Sequence, residues 1–322
     1  MTFDVRQQQV AFMFSEGTQS EVPSSLADQR RRRCTLFDQR PSQAAAREIF
    51  GFCRALSPSH IADLPFLVHF LLRRPHHLTA GLPDPADATR RPDGLCGLVR
   101  DLSVTHLMEA YARGLYPKAY AGPFKWWAPA ERLVVDPAEA KTPKATRGHL
   151  RRRSFAVAFD RDFDAVVAAC ARSEETLWRP CWMNPQIKHA YAELHDAGFA
   201  HSFEVRGEDG KLIAGGFGIA VGRVFVTEST FGKVGHWRDF GLTVLHRHLA
   251  LWGFAMHDMK AQAPEGFGFA PIARATYQAQ LLTLLGGGKL GRWRVDPTMC
   301  GPGLPAGRAQ EFREALQAIH AA

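Results

Sequence analysis

The chain contains no C-x-x-C pair, although it has six cysteines (Cys34, Cys53, Cys96, Cys170, Cys181 and Cys300). Thiols scattered in this way argue against a zinc ribbon and against a disulfide framework. No run approaches the roughly 20 apolar residues that a membrane helix requires. The opening MTFDVRQQQVAFMFSEG has no apolar core ahead of a small-residue cleavage site, so it is not read as a secretory signal. Neither apolar nor charged residues are extreme, at 46% and 22%, which is the balance of a globular chain. The expectation is a reduced, cytoplasmic protein with no metal and no membrane segment. Its length suits one large or two ordinary domains.

What the chain does have is excess positive charge, +8 with a pI near 9.4, and much of it is local. From Lys141 to Arg153 the sequence KTPKATRGHLRRR holds six Lys or Arg and no acidic residue. Such a run is the footprint of phosphate or polyanion binding, or else a solvated surface. The run Arg30–Arg33 carries the same pair of readings, a nucleic-acid arm or a solvated face.

Residues 1–92 show little organisation. Ala44–Leu56 and Ile61–Arg73 suit amphipathic helices, and Pro75–Pro92 suits an irregular connection. From Asp93 the signals sharpen. Ser103 can cap a helix with the stripe Leu107, Met108 and Tyr111. In FKWWAP (124–129) the adjacent Trp126 and Trp127 cannot both face one core, so at least one is expected at a surface or cleft. Leu133–Val135 and Ser154–Phe159 read as strands, and Asp162 as the cap of a helix carrying Phe163, Val166, Val167 and Cys170. Asn184 followed by Pro185 is a strong start signal for a helix carrying Ile187, Tyr191 and Leu194. Tyr277–Leu285 and Ala309–Ile319 read as later helices.

The most informative stretch is 200–258. Alternating His201, Phe203 and Val205, then Leu212–Val221, then Val224–Glu228 form three strands separated by Gly- and Asp-containing turns, an antiparallel meander. Glu228 closes it, as a carboxylate that is either paired structurally or placed for chemistry. A Gly-containing loop (231–239) leads into a helix with Leu242, Leu245, Leu249 and Trp252, a natural place for a phosphate or carboxylate. Ala255–His257 then re-enters the sheet and leaves Asp258 at a strand end.

The segments DGLCGLVRDLSVTHLMEAYARGLYP, FKWWAPAERLVVDP, WMNPQIKHAYAELHDAGFAHSFEV and FVTESTF resemble, in order, successive motifs of the leucyl/phenylalanyl-tRNA–protein transferases. The resemblance covers about residues 93–285. It implies an α+β fold with an acetyltransferase-like (GNAT) mixed sheet flanked by helices, and a smaller N-terminal region. The implied division is an N-terminal extension (1–92), a small subdomain (93–150), a catalytic domain (151–290) and a C-terminal tail (291–322). The implied activity moves an amino acid from aminoacyl-tRNA to the α-amino group of a protein or peptide with an exposed N-terminus, tagging it for degradation without a cofactor. By the same resemblance Trp127 stacks on the terminal adenine, with Trp126 and Trp182 lining that cleft. Lys144, Arg147, Arg151, Arg152 and Arg153 match a tRNA-backbone strip. Glu228 holds the incoming amine or a basic N-terminal residue, and Phe225 and Phe231 border the amino-acid pocket.

Departures from the family's pattern fall near the chemistry. The family has Asp-Cys-Gln where this chain reads Asp258-Met259-Lys260, so Lys260 stands at the position of a Gln proposed to help remove a proton. The catalytic set is therefore expected to be Glu228, Asp258 and Lys260, with Gln262 a near alternative. Gly216 and Thr230 stand where apolar pocket residues are expected, and His257 precedes Asp258. A smaller side chain at 216 loses burial worth about 0.8 kcal/mol per methylene, so discrimination for Leu or Phe is expected to weaken or move, with another amino acid or acceptor, or weak catalysis, in prospect. Two rival readings are an acyl-CoA-dependent acyltransferase, for which Gly232-Lys233-Val234-Gly235 is too sparse a pyrophosphate loop, and a tRNA-binding protein without activity.

Overall fold

The computed structural model of the protein describes residues 26–38, 81–119, 123–152, 156–174, 181–207, 209–232 and 237–300. In chain order its elements are α1 (Leu26–Phe37), β1 (Leu95–Leu98), α2 (Val104–Ala112), β2 (Tyr116–Ala119), β3 (Phe124–Trp127), β4 (Glu131–Val135), α3 (Lys144–Arg152), β5 (Ala156–Phe159), α4 (Phe163–Glu174), α5 (Pro185–Asp196), β6 (Ala200–Arg206), β7 (Leu212–Val221), β8 (Val224–Gly232), α6 (Trp237–Leu251), β9 (Met256–Asp258), β10 (Ala270–Ala273) and α7 (Arg274–Leu284). The readings at Ala44–Leu56, Ile61–Arg73 and Ala309–Ile319 lie outside the described residues, as does Arg153.

Capping chemistry sets several of these boundaries. Ser103 accepts from the His106 amide to open α2, and Asn184 accepts from the Ile187 amide ahead of Pro185 to open α5. Each oxygen satisfies one of the N–H groups that a helix start leaves without an intrahelical partner. Asp162 accepts from the Ala165 amide at 3.3 Å in the same way, before α4.

The strands form two sheets, one of three strands in the order β1-β3-β2 and one of seven in the order β10-β4-β9-β8-β7-β6-β5. Every pairing is antiparallel except β8 with β9. Parallel neighbours need a crossover, and α6 supplies it. The result is a mixed α+β architecture in which β4, from before α3, is built into the large sheet.

Alternation along the central strands sorts side chains to two covered faces. Phe217, Ile219, Val221, Val224, Val226 and Met256 join the core formed with α2, α4 and α5. Phe203, Val205, Ala214 and Phe225 join the core under α6, against Phe240, Leu242, Leu245 and Leu249. Each fully buried Leu or Phe contributes roughly 2 kcal/mol to holding these layers together.

Three readings of the sequence need correction. β8 does not end at Glu228 but runs on to Gly232. Trp126 and Trp127 are both buried, at 1% and 7% exposure; adjacent strand residues point to opposite faces, and here both faces of the small sheet are covered. The arginine run is not wholly solvated, since Arg30, Arg31 and Arg32 are exposed and Arg33 is not. Arg33 in α1 is buried, with its Nε 3.1 Å from Asp164 and its Nη2 2.7 Å from Asp196. Lys188 adds a hydrogen bond from Nζ to the Phe37 carbonyl at 2.6 Å. These contacts dock α1 onto α4 and α5.

Candidate active site

One residue too many in β8 creates the centre of the site. Phe217 pairs with Ser229 and Gly218 with Thr227, so Glu228 has no partner and forms a β-bulge. A bulge re-aims side chains that strict alternation would send to opposite faces. Both Glu228 and Ser229 reach the helices of the same layer. The Ser229 hydroxyl donates to Glu174 at the end of α4, at 2.7 Å, and the Tyr191 hydroxyl of α5 donates to Glu228 Oε2, also at 2.7 Å.

The neighbouring strand supplies the counter-charge. Val226 is opposite Asp258 across the β8–β9 pair, and Val134 is opposite Asp258 across β4–β9. Arg132, two residues along β4 from Val134, grips the Asp258 carboxylate with its Nε 3.0 Å from Oδ2 and with Nη2 on the same oxygen. The guanidinium also lies over the rings of Tyr116 and Tyr277, at 5.1 and 4.6 Å.

Past β9 the chain turns sharply. Lys260 adopts φ +61°, a left-handed conformation that costs a non-Gly residue roughly 1–2 kcal/mol. Three hydrogen bonds offset that strain. Asp258 Oδ1 accepts from the Lys260 amide at 2.7 Å, and the amide and carbonyl of Leu133 bond the Lys260 carbonyl and the Met259 amide at 2.8 and 2.9 Å. The turn carries the Lys260 ammonium back over the sheet. There Nζ donates to Glu228 Oε2 at 3.0 Å and to the Glu228 carbonyl at 3.1 Å, 4.9 Å from the centre of the Tyr116 ring. Lys260, and not the exposed Gln262, faces the carboxylate.

Glu228 is fully enclosed and Lys260 nearly so, with side-chain exposures of 0% and 13%. Glu228 Oε1 and the buried Tyr111 hydroxyl make no hydrogen bond of regular geometry among the described residues, but the Tyr111 hydroxyl lies within interaction reach of both Glu228 and Tyr191. Burial, followed by the charge of Glu228, raises the pKa of both Tyr111 and Tyr191 well above the ordinary phenol range, so both remain protonated donors. The arrangement is a buried carboxylate with an ammonium beside it and two phenols, Tyr111 and Tyr191, against it. Such a set can take a proton from an amine and offer positive charge to a developing oxyanion.

Other residues singled out in the sequence divide between two places. Tyr116 pairs with Trp127 across β2–β3, so the two rings share the face of the small sheet that meets Lys260. Trp126 points the other way, towards His106 of α2. Trp182 is half-buried and packs edge-to-face on Tyr191, with ring centroids 6.5 Å apart. Phe231 is half-buried against the same core. Of these, Tyr116 lies against Lys260 with Trp127 on its face, and Trp182 lies against Tyr191, the partner of Glu228.

Phe225, Thr230, Gly216 and His257 do not. Phe225 is buried under α6 against Trp293 and His257. His257 bonds Thr227 Oγ1 through Nε2 at 2.7 Å and His246 through Nδ1 at 2.6 Å, and burial pushes its pKa down to about 3. Gly216 opens no pocket, because a Cβ there would lie 2.8 Å from Phe203, from Thr230 and from the Ser229 carbonyl. Lys144 and Arg147 are exposed on α3, which packs on α6, and Arg151 and Arg152 continue the same helix. The basic helix therefore lies on the opposite side of the large sheet from Glu228.

Arg132, Tyr111, Tyr116, Tyr191 and Tyr277 were not singled out as site residues from the sequence. A signal for them was available. The chain has five tyrosines, and four of them are in this cluster or against its Arg132–Asp258 pair. Among the described residues no three His, Cys, Asp or Glu side chains are grouped to hold a metal ion, and no helix is long and apolar enough to cross a membrane.

Residues 134–282 match the family described as leucyl/phenylalanyl-tRNA protein transferase. A leucyl/phenylalanyl-tRNA–protein transferase of Methylococcus capsulatus is 37% identical over 208 residues, which is 64% of this chain and 88% of the relative. That of Thiobacillus denitrificans is 34% identical over 229 residues, 70% of this chain and 100% of the relative. Among solved structures, L-PGS from Bacillus licheniformis superposes loosely, with a TM-score of 0.29 and 9% identity over 66% of this chain and 69% of its own.

Proposed function

Because the chain belongs to the leucyl/phenylalanyl-tRNA–protein transferase family, we propose that it moves an amino acid from the 3′ end of aminoacyl-tRNA to the N-terminal α-amino group of a protein or peptide, with Glu228 and Lys260 at the reacting atoms. The observation that carries the assignment to these residues is the buried pair of Glu228 with the Lys260 ammonium at 3.0 Å. The ester linking amino acid to tRNA is already activated, so the reaction needs positioning, proton removal and oxyanion stabilisation.

In this reading the α-amino nitrogen attacks the ester carbonyl carbon. Glu228 Oε1 takes the proton released as the C–N bond forms. Lys260 spends two of its three N–H donors on Glu228, and the third stabilises the tetrahedral oxyanion. Collapse breaks the ester C–O bond, and the proton passes to the departing 3′-hydroxyl of the terminal ribose. Asp258 acts at one remove, by holding the Lys260 amide. Trp127, Trp182 and Phe231 border the space for the aminoacyl-adenosine end, and the α3 cations meet the tRNA backbone further off.

We take the large sheet to be acetyltransferase-like (GNAT), a reading supported by the meander β6–β8 followed by α6 and the parallel β9. The division near residue 150 belongs to the same reading, with β4 crossing it. The setting is cytoplasmic, and the product is an N-terminal tag for degradation. Incubation with a panel of labelled aminoacyl-tRNAs and an acceptor peptide tests the proposal. Label should pass to the peptide, and Glu228→Gln should slow the transfer by roughly 10²–10⁴. Binding of aminoacyl-tRNA with no turnover on any acceptor would overturn it.

A further inference from the structure

The charges around Glu228 are already balanced. Its carboxylate is paired with Lys260 at 3.0 Å, and the adjacent Asp258 is paired with Arg132. Tyr111 and Tyr191 stay neutral, so neither adds negative charge. The next carboxylate on this face, Glu174, is half-exposed and accepts from the Ser229 hydroxyl. With Tyr191 and Lys260 on Oε2 and the Tyr111 hydroxyl near, Glu228 keeps room for at most a single further N–H.

The position of Lys260 is enforced. Its left-handed backbone is held by Asp258 and Leu133, and its ammonium makes two hydrogen bonds to one residue. A cation arriving with the acceptor would compete with a tethered, pre-positioned one, and would meet its charge in a site with little water to screen it. An acceptor that brings only its amine meets no such opposition.

Resting on the transferase reading above, we infer that Lys260 sets acceptor specificity by occupying Glu228 as an internal cation. The preferred acceptors are N-termini whose first side chain carries no positive charge. Lys260 thus works partly by exclusion, a common source of discrimination between similar partners.

The experiment compares kcat/KM for peptides that differ only in the first residue, Arg, Ala or Glu, using one labelled aminoacyl-tRNA. The wild-type enzyme should favour Ala and Glu over Arg by tenfold or more. Lys260→Gln should shift the Arg-to-Ala ratio towards Arg by at least tenfold, whatever its overall rate. Lys260→Asn, which tolerates the left-handed backbone, repeats the test if the Gln variant folds poorly, and Lys260→Arg should keep the wild-type ranking. A wild-type preference for Arg, or an unchanged ratio in both uncharged variants, overturns the inference while leaving the transferase reading intact. Absence of transfer to every peptide overturns both.

Discussion

Arg132 and Asp258 lie on adjacent strands at 3% and 0% side-chain exposure, and the guanidinium engages both oxygens of the carboxylate. A buried pair of this kind adds little net stability, yet breaking it leaves one charge enclosed and uncompensated. Arg132→Met or Asp258→Asn alone should therefore cost roughly 3–5 kcal/mol. Urea unfolding followed by tryptophan fluorescence would measure it. Replacing both with apolar residues should recover much of the stability but not the transfer activity, because Asp258 also holds the Lys260 amide.

Tyr191→Phe removes a hydrogen bond to a buried carboxylate, an interaction worth about 1.5–3 kcal/mol. Loss of that anchor should lower kcat with a smaller change in KM. Glu228→Gln keeps the shape and removes the proton acceptor, and should lower kcat by roughly 10²–10⁴. Single-turnover transfer from labelled aminoacyl-tRNA distinguishes the two effects. A Gln variant with wild-type kcat would remove Glu228 from the chemistry.

Acid should destabilise the protein before most carboxylates titrate. Burial lowers the pKa of His195, His246, His248 and His257 below 6.5, for His257 to about 3. Below pH 6.5 the unfolded chain takes up protons that the folded chain refuses. Stability therefore falls as pH falls, until each native imidazole itself protonates, and each fully refusing histidine contributes at most about 1.4 kcal/mol per pH unit. Denaturation midpoints between pH 7 and pH 4 should fall steadily. His257→Gln should reduce the slope by up to one histidine's share.

Gly216 should resist enlargement. Restoring an apolar side chain there, as in Gly216→Met, would press into Phe203, Thr230 and backbone, and overpacking of that kind costs typically 1–3 kcal/mol. Thermal unfolding should show the loss, and the ranking of Leu-, Phe- and Met-charged tRNAs should not change. A changed ranking with unaltered stability would place Gly216 in the amino-acid pocket after all.

Much of the scaffold could be read from local chemistry. Ser103, Asp162 and Asn184–Pro185 open helices where capping says they should, and the turn residues delimit the β6–β8 meander. Glu228, Asp258 and Lys260 could also be picked out, Glu228 as a carboxylate in an apolar strand, Asp258 as a match to a familiar motif and Lys260 as a departure from it. What stayed hidden depends on long-range pairing. Periodicity reads Tyr111 and Tyr191 as apolar stripe positions and cannot see a carboxylate arriving from another strand. Arg33 looks like one of four solvated arginines until α4 and α5 present Asp164 and Asp196. Gly216 and His257 were placed near a pocket by the family resemblance, whereas strand alternation sends them to the α6 side.

The bulge at Glu228 makes the site a matter of counting as well as of composition. Deleting one residue from that part of β8 would restore regular pairing with β7 while every chemical group remained in the chain. With Thr227 removed, residues from Ser229 onward would keep their partners and faces, and the carboxylate, now opposite Gly218, would face α6 and not Tyr191 and Lys260. A protein of this lineage could therefore lose its activity through a length change in one strand, with all the residues of the site still spelled out in its sequence.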